Sequence, residues 1–269
     1  MFKDQVVWIT GASSGIGEAV AMEMAAEGAK LVLSARREDE LNRVAAAAMV
    51  AGAAETLVLP LDVTDLDSLG GKVADVVKQY GRIDMLLNNA GISQRALVKD
   101  MEMVAYRKIF EVNFFGQVAL TRAVMDVMLK QKSGHITVTS SVSGKIGAAE
   151  RAGYTATKHA VMGWFDSLRV ELHQHNINVT TIVPGYINTP ISYAALKGDG
   201  EPFEKVSKEN AAGMDVTKCA KVIMKGFHKG KREINAGEGI EMWGSTLKFL
   251  MPKLLFKLTE KRCPKWDIE

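Results

Sequence analysis

The chain is 269 residues long, 47% hydrophobic and 24% charged, which is enough material for one large α/β domain spanning residues 1–269. Its 34 Lys and Arg residues nearly balance 31 Asp and Glu, for a net charge of +3; no electrostatic case for nucleic acid follows, although the last few dozen residues are locally basic. Cys219 and Cys263 lie far apart and outside any C-x-x-C pair, which argues against a disulfide framework and a zinc site, suits a reducing compartment and leaves no metal to expect.

A strand-like run begins within a few residues of Met1 and leaves no room before it for a signal peptide or a spanning helix. The expected location is therefore intracellular and cytoplasmic. Short apolar runs bounded by turn residues recur at 6–10, 30–34, 56–61, 84–88, 135–140 and 178–184, with a weaker seventh at 232–236. The stretches between them carry amphipathic spacing: Ile16, Ala19, Val20 and Met24 share one face while Glu18, Glu23 and Glu27 reach water. Alternation of strand and helix predicts right-handed crossovers and a seven-stranded parallel sheet with helices on both faces, a doubly wound α/β architecture. No linker, repeat or low-complexity tract marks a second domain. From Thr189 to Met214 the alternation loosens, with Gly198, Gly200 and Pro202 interrupting weak helical signals; residues 189–214 are expected to form a lid.

The first strand runs directly into Thr10-Gly11-Ala12-Ser13-Ser14-Gly15-Ile16-Gly17 and then a helix. Glycines there let the backbone approach a phosphate and let helix and strand pack closely, while free N–H groups and the helix dipole meet the anion. In strand, turn and helix context this predicts a dinucleotide site. The end of the second strand then selects the cofactor, because an acid at that point accepts from a free ribose hydroxyl and repels a phosphate. Here stand Ser34-Ala35-Arg36-Arg37, and paired guanidinium groups suit the 2'-phosphate of NADP(H) over NAD(H). Asp62-Val63 after the third strand places a carboxylate where an adenine amino group would lie, with a helix cap at Thr64 or Asp65 as the competing role. Asn88-Asn89-Ala90-Gly91 supplies small residues after the fourth.

Strand five leads into Ser140-Ser141, and Tyr154 and Lys158 follow at a spacing of one helical turn. A cation beside a phenol stabilises the phenolate and turns a poor proton carrier into a usable one. His135 and His159 have no carboxylate or nucleophile at triad-like spacing. Ser141 lacks the Gly-x-Ser-x-Gly elbow of a hydrolase.

With these motifs together, the chain resembles the short-chain dehydrogenase/reductase family over nearly its whole length, through Thr10 to Gly17, Asp62, Asn88 to Gly91, Asn113, Ser141, Tyr154, Lys158 and Pro184-Gly185. The resemblance implies a Rossmann fold and an oxidoreductase that interconverts carbonyl and alcohol. It implies Tyr154 as general acid in reduction and base in oxidation, Ser141 on the substrate oxygen, and Lys158 on the nicotinamide ribose. Asn113 would fix a water behind the lysine. Gly11, Ser13, Ser14, Gly15, Ile16, Gly17, Arg36, Arg37, Asp62, Val63, Asn89, Ala90 and Gly91 would hold the cofactor, with Pro184, Gly185, Ile187 and Thr189 positioning the nicotinamide. Family members commonly form dimers or tetramers through the helices carrying Asn113 and Tyr154. The alternative to an enzyme is a protein that senses or scaffolds on NADP(H) without turnover.

Residues 243–266 alternate Leu and Phe with Lys and are flanked by Trp243 and Trp266. Such a basic amphipathic segment suits a lipid interface, the substrate pocket or a sister subunit, and Pro252 should kink it. It is similar to tails of lipid-, steroid- and retinoid-active relatives, which implies an apolar substrate; peripheral membrane contact stays open beside the pocket and the sister subunit as the role of the segment.

Overall fold

A computed structural model describes residues 1–205 and 207–264. Seven strands, β1 (Val6–Thr10), β2 (Lys30–Ser34), β3 (Glu55–Val58), β4 (Met85–Asn88), β5 (Gly134–Thr139), β6 (Ile177–Pro184) and β7 (Glu233–Ala236), form one sheet in the order β3-β2-β1-β4-β5-β6-β7. Every pairing is parallel. The order reverses between β1 and β4, and that switch point is where open α/β sheets leave a crevice at the carboxyl ends of their strands.

Because parallel strands are buried on both faces, their sequences read as unbroken apolar runs. β1 is Val-Val-Trp-Ile-Thr with all five residues buried. One face carries α1 (Gly15–Ala26), α2 (Glu38–Ala51) and, later in the chain, the helix spanning Val216–His228; the core there includes Val20, Met24, Leu41, Val44, Ile223 and Phe227. The other face carries α3 (Leu69–Tyr80), followed beyond α4 (Met103–Phe110) by α5 (Gly116–Gln131) and α6 (Ala152–Glu171), which bury Val73, Leu120, Val124, Val161 and Phe165. Trp8 on β1 donates from Nε1 to the hydroxyl of Ser34 on the neighbouring β2 at 2.9 Å, and that hydroxyl donates to Leu59 O at 2.7 Å. A large buried ring thereby keeps its polar atom satisfied.

The expected strands are all present, the first two with the bounds expected and the other five with shifted ends. The third was expected over 56–61, and its pairing with β2 runs over Glu55–Val58; on this edge strand Pro60 turns its nitrogen away from β2, where a missing N–H leaves nothing unpaired. Leu59 and Leu61 still donate to Leu33 O and Ala35 O at 3.0 Å each, so the chain leaves the sheet gradually and delivers Asp62 to the crevice. The fourth, expected from Asp84, runs from Met85; the Asp84 carboxylate accepts from Val6 N–H at 2.9 Å and takes the Arg82 guanidinium. His135 belongs to the packing: its Nε2 meets the Thr180 hydroxyl at 2.9 Å and its ring packs edge-on against Phe227. Burial pulls its pKa down to about 4, so it stays neutral at neutral pH.

Candidate active site

The crevice is a cavity of about 1740 Å³ running from β2 to the C-terminal helices. At its cofactor end, Gly11 and Gly15 sit at φ of +64° and +62°, the left-handed region that side chains resist. Gly17 faces inward instead: a Cβ there would collide with Gly11 O and stand 2.6 Å from Asn89 Nδ2. Its task is close helix-to-strand packing, which is why it alone of the turn's glycines does not line the cavity. Ser14 begins α1 without capping it through its side chain, so the first-turn N–H groups are free for an anion. Thr10 ties this turn to the next strand, its Oγ1 accepting from Asn89 N–H at 3.0 Å and Ala90 N–H at 3.1 Å.

Arg36 and Arg37 line the cavity beyond β2, and neither forms an ion pair among the described residues. The neighbouring acids Glu18 and Glu40 are both taken by Arg43, at 2.8 Å each. Arg37 Nη2 donates to the Ser13 hydroxyl at 3.3 Å, bridging the end of β2 to the glycine turn. Asp62 lines the cavity too, and it makes the local turn itself: its Oδ1 accepts from Thr64 N–H at 2.9 Å and Thr64 Oγ1 at 2.8 Å. Neither Thr64 nor Asp65 caps the following helix through its side chain. Val63, Asn89, Ala90 and Gly91 complete this half of the lining.

At the other end, Ser141, Tyr154 and Lys158 converge on the same cavity. Tyr154 and Lys158 share the buried face of α6, with Lys158 Nζ 5.7 Å from the phenol ring centroid and donating to Thr139 O at 2.7 Å. Burial pulls the lysine pKa down to about 8. Burial pushes the Tyr154 phenol up, against the opposing pull of a hydrogen bond from the Ser141 side chain and of the Arg151 charge. The opposing charge comes from Arg151, which the sequence did not single out and which immediately precedes the helix carrying Tyr154.

Asn113 lies behind the cavity, fully buried in a one-turn π-helix, Glu111–Phe115, between α4 and α5. The wide turn aims its amide at Ile92, accepting from the N–H at 2.8 Å and donating to the C=O at 2.9 Å, with a further bond to Thr157 Oγ1 at 3.2 Å. Both Asn113 Oδ1 and Lys158 Nζ close on Gly91, where a Cβ would meet them at 3.1 and 3.7 Å. His159 is engaged locally, its Nδ1 meeting Thr155 O at 2.9 Å.

The sequence profile of the short chain dehydrogenases matches residues 5–199. The chain belongs to the short-chain dehydrogenase/reductase family. It is 40% identical over 265 residues, 97% of this chain and 84% of the relative, to "Dehydrogenase/reductase SDR family protein 7-like" of Anopheles gambiae. Among solved structures, a short-chain dehydrogenase/reductase from Burkholderia phymatum in complex with NAD superposes with a TM-score of 0.81 over 100% of this chain and 98% of its own, at 22% identity. A metagenomic short-chain oxidoreductase in complex with NADP gives a TM-score of 0.65 at 34% identity, over 68% of this chain and 83% of its own.

The remaining walls of this dehydrogenase/reductase come from the loop after β6 and from the C-terminus. Pro184, Gly185, Ile187 and Thr189 all line the cavity, and Glu241, which nothing in the sequence singled out, accepts from Tyr186 N–H at 3.3 Å to hold the loop. Residues 189–214 lie against the body through Leu196 N–H to Ser93 O at 2.9 Å and Arg95 N–H to Leu196 O at 2.8 Å. Their helical content is a 3₁₀ turn, Pro190–Ser192, and the four-residue α7 (Lys208–Ala211), capped by the Ser207 hydroxyl; Val206 lies outside the described residues. After α8 (Val216–His228), the tail forms α9 (Gly244–Leu250) and α10 (Pro252–Glu260), broken at Met251 where Pro252 starts the second. Leu247, Leu255, Leu258, Thr259 and Arg262 line the cavity from this pair. Trp266, expected to flank the tail, lies outside the described residues.

Proposed function

We propose that this chain interconverts a carbonyl and an alcohol on a substrate with an apolar body, using NADP(H). The observation that carries the reading is convergence: the uncapped glycine turn and the Ser141, Tyr154 and Lys158 side chains open on one cavity. A bound nicotinamide would supply or accept the hydride. The chain's part is the proton and the geometry. Tyr154 donates its phenolic proton to the nascent alkoxide in reduction and takes it back in oxidation. Ser141 hydrogen-bonds the same substrate oxygen, and the Lys158 ammonium holds the ribose and offsets developing phenolate charge. Asn113 fixes Ile92, the residue after Gly91, and sits behind the lysine in a position suited to ordering a water. NADP(H) is favoured by Arg36 and Arg37, which have no acidic partner to displace.

The test is loss of NADPH absorbance across a panel of ketones and aldehydes. Substrate-dependent loss supports an enzyme; cofactor binding with no turnover across the panel supports the sensing alternative. Oligomerisation through α5 and α6 accords with the exposed Phe115 and Val170.

The tail adds a location. Among the described residues no helix is long and apolar enough to cross a membrane, yet Trp243, Phe249, Leu250 and Phe256 are exposed, Phe249 by 87%. Lys248, Lys253, Lys257, Lys261 and Arg262 lie among them with Glu260 as the one acid from Trp243 to Cys263. Apolar side chains ringed by cations suit an anionic lipid surface, beside the mouth through which an apolar substrate would enter. The protein should co-sediment with phosphatidylglycerol-containing vesicles and much less with phosphatidylcholine alone. Phe249→Ser with Leu250→Ser should abolish that binding, and unchanged binding would reject this part of the proposal.

A further inference from the structure

One cation in the cavity is left without a task by this mechanism. Arg151 precedes α6, lines the cavity and is only 8% exposed. Its Nη1 donates to the neutral Ser93 hydroxyl at 2.8 Å, and among the described residues it has no ion pair. The nearby acids are engaged by another arginine, Arg95 meeting Glu150 at 3.4 Å and Glu209 at 3.3 Å. A guanidinium has five N–H donors and keeps its proton. Buried with Glu209 only at electrostatic range and no ion pair, it is costly to maintain. The described residues contain orphaned buried side-chain atoms at Asn88, Gln117 and Thr155, but none on Arg151, so none of its N–H groups is sealed away without a partner, and the residue lines the cavity.

The surroundings specify what would fill that space. Ile146, Leu247, Leu255 and Leu258 make an apolar wall of the same cavity, while Arg151, the residue immediately before α6, stands three residues ahead of Tyr154 and close enough for its charge to act on the phenol. We propose that Arg151 is a subsite for a substrate carboxylate, and that the substrate is an oxo acid or hydroxy acid with an apolar body. Its carboxylate sits on Arg151 and its reacting carbon, a few bonds away, sits at Tyr154 and Ser141. This deepens the reductase reading and rests on it. The Arg151 charge also reaches both the Tyr154 phenol and the Glu209 carboxylate, drawing each down, as a cation facing the reacting centre would.

The experiment compares octanoate with octanamide, which share a shape and differ in charge, by calorimetric titration of the enzyme loaded with NADPH. Loading fills the site of Arg36 and Arg37, so that pair cannot supply the anion response. Octanoate should bind at least about tenfold tighter than octanamide, the scale of one charge-assisted bidentate contact. Arg151→Gln should remove the difference and leave octanamide within about twofold, whereas Arg151→Lys should keep part of it. Equal affinities in the wild type, no octanoate binding up to millimolar concentration, or an acid preference that persists in Arg151→Gln would each overturn the subsite. The wild-type comparison requires no variant to fold. Binding is read without turnover, so failure here is distinct from failure of the reductase reading, which the carbonyl panel decides.

Discussion

Tyr154→Phe is expected to lower kcat for carbonyl reduction by about 10²–10⁴-fold, the range that a positioned general acid contributes. The substitution removes one oxygen from a side chain that is 9% exposed and leaves the ring to fill its place, so the α6 packing has no reason to change. NADPH affinity should therefore hold within about a factor of two, which steady-state kinetics and fluorescence titration on the same preparation would show. A kcat loss without a cofactor loss marks an interaction made in the transition state. The structure also sets the protonation state: burial holds the phenol above its ordinary pKa, so it carries its proton throughout the neutral range. Reduction should show no loss from tyrosine ionisation until pH exceeds the usual tyrosine range. Wild-type activity in Tyr154→Phe would remove Tyr154 from the chemistry.

The second large effect is expected at the other end of the cavity. Arg36→Asp should weaken NADPH binding by about 10- to 100-fold, because it deletes a charge-assisted contact worth about 1.5–3 kcal/mol and places a carboxylate against a phosphate. NADH, with a free hydroxyl in that position, should lose far less and could gain an acceptor. The effect is local by construction: Arg36 is exposed and outside every ion pair among the described residues, so its removal leaves no partner stranded. Dissociation constants for both cofactors would check it, and equal losses would contradict the NADP(H) reading.

These two ends of the site were legible before any coordinates because their signals are local. Thr10 to Gly17 is a contiguous turn whose left-handed glycines and uncapped helix follow from eight residues, and Tyr154 and Lys158 are one turn apart on a single helix. The strand count was legible for the same reason, apolar runs in a parallel sheet being continuous. What escaped the sequence depends on chain segments far apart. Arg151 has meaning only through Ser93, 58 residues away, and the link between Arg95 and Glu209 spans 114. Glu241 steadies the loop after β6 from 55 residues downstream. The π-turn holding Asn113 was visible only as a polar residue inside a helical pattern, since its register depends on the amide reaching Ile92.

A charged wall beside Tyr154 refines the picture of an apolar substrate. The tail and Ile146 offer hydrocarbon contact, and Arg95, Arg151 and Glu209 line the cavity as well. An amphipathic molecule meets both surfaces, and the separation of the two regions would fix which end reaches the proton donor.

The central claim is transfer of hydride between a nicotinamide and a carbonyl carbon at this cavity. The measurement that bears on it most directly is mass spectrometry of the alcohol formed from an accepted panel carbonyl with NADPH deuterated at the transferred position. The account predicts one deuterium on the carbinol carbon of the product, formed by the wild type and lost with Tyr154→Phe. Alcohol carrying no deuterium, or deuterated alcohol formed equally well by the variant, would contradict it.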